Sequence, residues 1–365
     1  MASIDEYRVR IDELDQQIVG LLNERAQCAR AIGELKNVSG RAAFAPDRER
    51  RVLEKVAAQS RGPLAGSALQ SIYREIMSAC RALEKPLQVA YWGPPASNSH
   101  VAARRRFGGQ VALVALGSIP DIFDAVGRGD VDFGVVPVEN STEGVIAITL
   151  DQFIESEVQI CAETFVPIQH NLLSRATDIA DVRQVYSMFQ ATGQCREWIR
   201  KHLGGVPLID VTTTARGAEL ASREPDTAAI ANLTAAEEYG LNVLAENIED
   251  NPRNYTRFWV ITQKGPQPSG ADKTSLLFSV PHQAGALVTA LQAFESHGVS
   301  MTFIESRPTK QTPWEYLFFV DVQGHIGEGP DTQLSAALAE LEKRTAFVRV
   351  LGSYPEAEDH RQAVV

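Results

Sequence analysis

Along the first 35 residues, Ile4, Tyr7, Ile11, Leu14, Ile18, Leu21, Arg25, Cys28, Ile32 and Leu35 recur at alternating steps of three and four. That spacing predicts one helix of about 30 residues with a heptad seam along one side. A second helix should begin after Pro46, which suits a first-turn position, and end at Gly62-Pro63. A third is expected from Leu64 to Glu84, closed by Pro86. The pattern then changes. Short apolar strands (Val89 to Tyr91, Val131 to Val138) alternate with helical stretches such as Ile119 to Gly127, as in an α/β domain. Gly265-Pro266-Gln267-Pro268-Ser269-Gly270 reads as a linker. After it, Thr274 to Leu351 gives strand, helix, strand, strand, helix, strand, a ferredoxin-like order. The polar stretch from Glu356 is expected to fray.

A chain of 365 residues is too long for one ordinary core, so two or three domains are expected. The net charge of −11 argues against a broad nucleic-acid or anionic-membrane surface, so any anion site must be local. There is no apolar run of about 18 residues, and Met1 to Tyr7 lacks the basic-then-apolar form of a signal peptide. Cys28, Cys80, Cys161 and Cys195 share no metal-type spacing and fall in apolar patterns. They are expected to be buried thiols in a reducing cytoplasm, with no metal and no cofactor.

One seam position breaks the pattern. Arg25 stands where an apolar side chain belongs, and a buried charge there needs an anion. It could snorkel to the edge or pair with Glu24; it could also meet an anionic ligand. Farther on, the buried strand Val131 to Val138 runs into Glu139-Asn140-Ser141-Thr142-Glu143-Gly144, a cluster of capping residues whose exposed N–H groups suit a carboxylate. About 110 residues later, Asn254-Tyr255-Thr256-Arg257-Phe258 places a hydroxyl beside a guanidinium before another apolar strand, Phe258 to Thr262.

These two motifs together resemble the signature of the prephenate dehydratase family. The segment before them is similar to chorismate mutase, and the segment after them to the ACT regulatory domain. The implied architecture is multidomain. It comprises an all-α intertwined helical domain (residues 1–86) and an α/β two-lobed domain like small periplasmic binding proteins (87–265). A linker (266–273), an α+β ferredoxin-like domain (274–355) and a tail (356–365) follow.

The mutase resemblance rests on Arg8 in Tyr-Arg-Val-Arg-Ile-Asp, Arg25 in Leu-Leu-Asn-Glu-Arg, Lys36, Pro46-Asp47-Arg48-Glu49, and Glu84 on the third helix. Arg8 and Lys36 lie about 42 Å apart on one straight helix. A ligand the size of chorismate cannot touch both, so one shared site requires Arg8 of a second chain. The implied chemistry is pericyclic. Two arginines hold the carboxylates in the reactive conformer, while Lys36 and a protonated Glu84 donate to the ether oxygen where charge grows. Many relatives carry Gln at the Glu84 position, so its pKa would have to be raised by burial. Ala45 and Cys80 stand where some relatives have Asp and Ser.

For the dehydratase, the resemblance implies a substrate site of Ser97, Asn140, Ser141, Ser187, Gln194, Thr213, Thr214, Arg257 and Phe258, with Thr256 as the catalytic proton donor to the leaving hydroxyl. Arg257 is expected as electrostatic support. Asn98 replaces a large aromatic of the family loop, and Met188-Phe189 replaces His-Pro. His100 and His170 are expected to be structural, since no partner carboxylate stands at a readable spacing. In the last domain, Gly285-Ala286-Leu287-Val288 and Glu305-Ser306-Arg307-Pro308 resemble phenylalanine-binding motifs of ACT domains, with Ser300 where relatives commonly have Asn.

The combined expectation is a cytoplasmic, homodimeric or larger enzyme that binds neither nucleic acid nor membrane. It would take chorismate to prephenate and prephenate to phenylpyruvate under feedback by L-phenylalanine. Two alternatives stay open: an arogenate dehydratase with a mutase domain, and an amino-acid sensor whose dehydratase-like domain binds without catalysis.

Overall fold

The computed structural model describes residues 3–39, 45–84, 86–309, 316–329 and 332–357; the side chains of residues 36–39, 84 and 328 lie outside it. The chain forms two compact units, Met1–Gln88 with Phe107–Ala112, and Val89–Arg106 with Leu113–Val365.

The first unit is built on α1 (Ile4–Ser39), a single helix of 36 residues. A reciprocal cap starts it: Glu6 N donates to Ser3 Oγ, and Ser3 N donates to the Glu6 carboxylate. Pro46 opens α2 (Pro46–Gln59), and α3 (Gly66–Glu84) follows, two residues shorter at its start than the sequence suggested. The predicted seam of α1 stays open in one chain. Tyr7 is 62% exposed and Leu21 65%, and Ile4, Ile11, Leu14, Ile18, Ile32 and Leu35 are exposed as well. Cys28 lies on the same open helix and is exposed, against the expectation of four buried thiols; Cys80, Cys161 and Cys195 are buried.

The second unit begins with a lobe made of β1 (Gln88–Trp92), α4 (Asn98–Phe107), β2 (Ala112–Leu116), α5 (Ile119–Arg128), β3 (Phe133–Asn140), β4 (Gly144–Val145), α6 (Ala147–Glu155) and β5 (Gln159–Pro167). The chain then crosses to a second lobe. It holds β6 (Asn171–Ser174), β7 (Gln184–Ser187), α7 (Phe189–Gln194), α8 (Arg196–His202), β8 (Leu208–Asp210), α9 (Thr214–Ala221), β9 (Thr227–Ala231), α10 (Leu233–Tyr239) and β10 (Asn242–Ala245). Strand β11 (Tyr255–Thr262) returns to the first lobe and inserts between β3 and β5, so that sheet runs β2-β1-β3-β11-β5. The second sheet runs β10-β6-β9-β7-β8.

The C-terminal domain is β12 (Asp272–Ser279), α11 (Ala286–Ser296), β13 (Met301–Pro308), β14 (Tyr316–Gln323), α12 (Gln333–Arg344) and β15 (Phe347–Pro355), in sheet order β13-β14-β12-β15. Its helices cover one face, with Leu276, Phe278, Phe294, Val320 and Leu341 in the core. The other face packs on the first lobe: Leu277, Phe319 and Leu351 share one buried cluster with Val136, Phe153, Trp259 and Ile261. That contact is close. A Cβ built on Gly352 would lie 2.1 Å from the Ile160 carbonyl oxygen, so only glycine fits. Strands β3, β11 and β5 of the first-lobe sheet are therefore buried on both faces, while the edge strand β2 stays partly exposed. The second lobe keeps separate cores.

Candidate functional sites

In the helical unit a pocket of about 310 Å³ is lined by Arg25, Ile32, Arg48, Glu49, Cys80 and Arg81 among others. Arg25 Nη1 lies 3.0 Å from Cys80 Sγ, a soft partner that does not neutralise the guanidinium. Glu49 is buried and receives Arg81 Nη1 at 3.2 Å. Arg81 was not anticipated from the sequence; its place in the last turn of α3, one residue past Cys80, was the available signal. Arg8 is exposed, pairs with Asp5 at 3.3 Å, and does not line the pocket. The side chains of Lys36 and Glu84 lie outside the described residues.

In the second unit most of the expected residues, Arg257 and Phe258 excepted, lie towards the carboxyl ends of the parallel strands of the two lobes, where open α/β sheets bind ligands. β1 and β3 run parallel, as do β7, β8 and β9. Ser97 caps α4 and also donates to Trp92 O at 2.9 Å. Asn140 ends β3 and Ser141 follows it, Ser187 closes β7 and is buried, and Thr213 caps α9, its Oγ1 accepting from Arg216 N, with Thr214 the first helical residue. Asn232, missed in the sequence, caps α10 and joins the lobes: its Nδ2 donates to Ala96 O at 2.9 Å and Asn98 Oδ1 at 3.2 Å. Ala96 has a φ of 61°, held there because its N–H donates to His100 Nδ1. A second bridge links the loop after β3 to the second lobe, with Gln194 Nε2 donating to Glu143 Oε1 at 3.3 Å.

The centre of the site is Asn140. Its Oδ1 accepts from the N–H groups of Thr142 and Glu143, both at 3.0 Å, which fixes the amide orientation. Its Nδ2 therefore points to Asn254 Oδ1 at 2.8 Å and Thr256 Oγ1 at 2.9 Å. Thr256 accepts that bond, so its own hydrogen is left to donate elsewhere. Accepting the amide hydrogen also polarises the hydroxyl.

Arg257 goes the other way. Side chains alternate along β11, and Arg257 lies buried against the C-terminal sheet, bonded to Glu163 and Asp321. The structure does not bring it to Asn140 and Thr256. Phe258 is fully buried, and a bulge in the pairing with β3 falls between it and Arg257. His100 stacks on Tyr91, and His170 Nε2 bonds Gln194 Oε1 at 2.8 Å. Burial lowers the pKa of both histidines.

In the C-terminal domain a pocket of about 260 Å³ is lined by Gly285, Ala286, Leu287 and Val288 together with Tyr316 and Phe318 of β14. Gly285 has a φ of 81° at the start of α11, a left-handed position suited to glycine. Glu305, Ser306, Arg307 and Pro308 lie on β13 beside β14, and Arg307 makes a forked bond to Asp151 of α6 at 3.0 and 3.1 Å. Among the described residues, no three His, Cys, Asp or Glu side chains converge as a metal site.

Three family models match the chain: chorismate mutase type II over residues 7–85, prephenate dehydratase over 89–266, and the ACT domain over 274–343. The bifunctional chorismate mutase/prephenate dehydratase of Aquifex aeolicus (strain VF5) is 45% identical over 361 residues, covering 98% of this chain and 99% of that protein. Among solved structures, the prephenate dehydratase of Arthrobacter aurescens in complex with L-Phe is 33% identical, with a TM-score of 0.68 over 74% of this chain and 91% of its own. GqqA, described as a novel type of quorum quenching acylase, is 30% identical with the same TM-score of 0.68, over 75% of this chain and 100% of its own. One fold thus carries differently described activities, and the activity here must be argued from the site residues.

Proposed function

The chain belongs to the bifunctional chorismate mutase/prephenate dehydratase family, and we propose that its two reactions and their control are run by the three sites described above. It rearranges chorismate to prephenate, then removes water and carbon dioxide from prephenate to leave phenylpyruvate.

In the mutase pocket, Arg25 and Arg48 hold the substrate carboxylates together with Arg8 of a second chain, and Glu49 is kept in place by Arg81. Arg8 lies 17 residues before Arg25 on α1, about 25 Å away at helical rise. It completes the pocket of a second chain, whose α1 covers the open seam. An exposed apolar stripe of this length is the usual mark of an interface. Lys36 and Glu84, whose assignment rests on the match to chorismate mutase, are the donors to the breaking ether bond. No proton enters or leaves overall: one C–O bond breaks and one C–C bond forms.

In the cleft, Thr256 gives its hydrogen to the leaving hydroxyl, which departs as water, and the Thr256 oxygen takes back a proton from solvent, the one proton the reaction consumes overall. The electrons of the bond to the ring carboxylate pass into the ring as carbon dioxide leaves. The single observation that carries this reading is the Asn140 amide, which occupies the Thr256 oxygen as a donor and leaves the O–H to point at substrate. Ser97, Ser141, Ser187, Gln194, Thr213 and Thr214 hold the substrate's carboxylates and keto group, helped by the N-termini of α4 and α9. L-Phenylalanine binds at Gly285–Val288 beside β14 and restrains the dehydratase. The reactions belong in the cytoplasm, in keeping with four free cysteines.

Steady-state turnover of chorismate, prephenate and arogenate by the purified chain, with and without L-phenylalanine, tests all of this. Turnover of the first two, with the second inhibited by phenylalanine, is expected. Preference for arogenate would reassign the second reaction. Binding of prephenate without turnover would make the second domain a sensor.

A further inference from the structure

Among the described residues, a dense group of buried charges lies outside the cleft, where the first-lobe sheet faces the C-terminal sheet. Arg257 Nε donates to Glu163 Oε2 at 2.9 Å, and its Nη2 donates to Asp321 Oδ2 at 2.5 Å and Tyr354 Oη at 3.3 Å. Ser275 Oγ donates to the other Asp321 oxygen at 2.5 Å, and Lys273 Nζ reaches Glu163 Oε1 at 3.0 Å. The guanidinium also lies 5.3 Å from the Trp259 ring centroid and 5.6 Å from that of Phe303. Glu139, paired with Arg257 across β3 and β11, shares this face.

Ion clusters of this kind add little net stability over packed hydrocarbon, but their directional bonds fix geometry. Two features make the geometry of this one consequential. Arg257 follows Thr256 directly, so its Cα lies one peptide, about 3.8 Å, from that of the candidate proton donor. The bulge falls immediately after Arg257, where β11 is least constrained by β3. Whatever holds Arg257 therefore sets the approach of the Thr256 hydroxyl. Asp321 belongs to β14, the strand that supplies Tyr316 and Phe318 to the candidate effector pocket. One strand thus joins that pocket to the guanidinium beside the candidate centre. The Arg307–Asp151 pair makes a parallel tie, from β13 to the helix that follows the Asn140 loop.

We propose that Asp321 is a positioning residue of the dehydratase: through Arg257 it holds the segment of β11 that carries Thr256, and β14 transmits the state of the Gly285–Val288 pocket to it. The inference rests on the reading of Thr256 as proton donor. Inhibition then needs no blockage of the cleft. A shift of β14 by a fraction of an ångström turns Thr256 away from the leaving hydroxyl, and a misplacement of about 1 Å costs on the order of 100-fold in rate.

The test uses the full chain, whose mutase reaction serves as an internal control. Asp321→Asn keeps the shape and removes the charge. It should lower dehydratase kcat about tenfold or more with KM within about twofold, and leave mutase kcat/KM unchanged. L-Phenylalanine should still bind by calorimetry yet inhibit the remaining dehydratase activity much less. Tyr354→Phe, which deletes only one oxygen from the cluster, should shift kcat the same way by about threefold. This milder variant decides the matter if the first does not fold. Wild-type kcat in the folded variants, or an equal rise in KM, overturns the positioning role. Undiminished inhibition by phenylalanine overturns the link through β14. A wild-type chain that turns over no prephenate refutes the underlying reading instead, and shows it before any variant is compared.

Discussion

If Arg8 serves the pocket of a partner chain, two dead variants should rescue each other. Arg8 and Arg25 lie about 25 Å apart along α1, too far for one substrate to touch both. Losing one partner of a carboxylate clamp costs about 2–5 kcal/mol, so Arg8→Ala and Arg25→Ala should each lower mutase kcat/KM by about 30-fold or more. In a random mixture of the two, half of the dimers are mixed. Each mixed dimer has one site with both arginines and one with neither, so about one quarter of wild-type activity should return. The variants are co-refolded in equal amounts, heterodimers are quantified by a mass tag on one chain, and chorismate disappearance is followed by absorbance. Dehydratase turnover in the same samples should stay constant. Heterodimers at the expected fraction with no recovered mutase activity would refute the shared site, and so would full activity of Arg8→Ala alone.

Three further outcomes follow from the geometry. Asn140→Ala removes the amide that orients Thr256, and dehydratase kcat should fall about 100-fold while mutase kinetics stay unchanged. Gly352→Ala places a carbon 2.1 Å from a backbone oxygen, and the strain should cost about 1–3 kcal/mol, seen as a lower denaturation midpoint. Burial alone would raise the Glu163 pKa, but Arg257 and Lys273 outweigh it and hold it at about 2. Because the folded value lies below the unfolded one, Glu163 contributes stability above about pH 4.5, which is lost as pH falls towards 2. Acid titration by near-ultraviolet dichroism should show that loss reduced in Glu163→Gln; an identical acid slope would remove Glu163 as its cause.

The order of the domains, the long first helix and the motifs around Asn140, Thr256 and Gly285 were legible along the chain. Each is a local pattern: a period of three and four, a capping cluster, a glycine where a helix starts. The same patterns located Arg25 as a charge in an apolar seam, and it lines a pocket. What local patterns do not encode is which face of an element meets which partner. Strand β11 is apolar nearly throughout because sheets and helices cover it on both sides, so no alternation told that Thr256 and Arg257 look in opposite directions. That was decided when β14 and β15, about 60 and 95 residues later, packed Asp321 and Tyr354 against Arg257. Asn232 and Arg81 escaped notice for the same reason: an ordinary cap and an ordinary last-turn arginine gain their roles only from residues far away in sequence. The chain wrote its elements and reactive groups locally, while the direction each group faces was decided by burial against distant strands, where an unpaired charge would be too costly to leave.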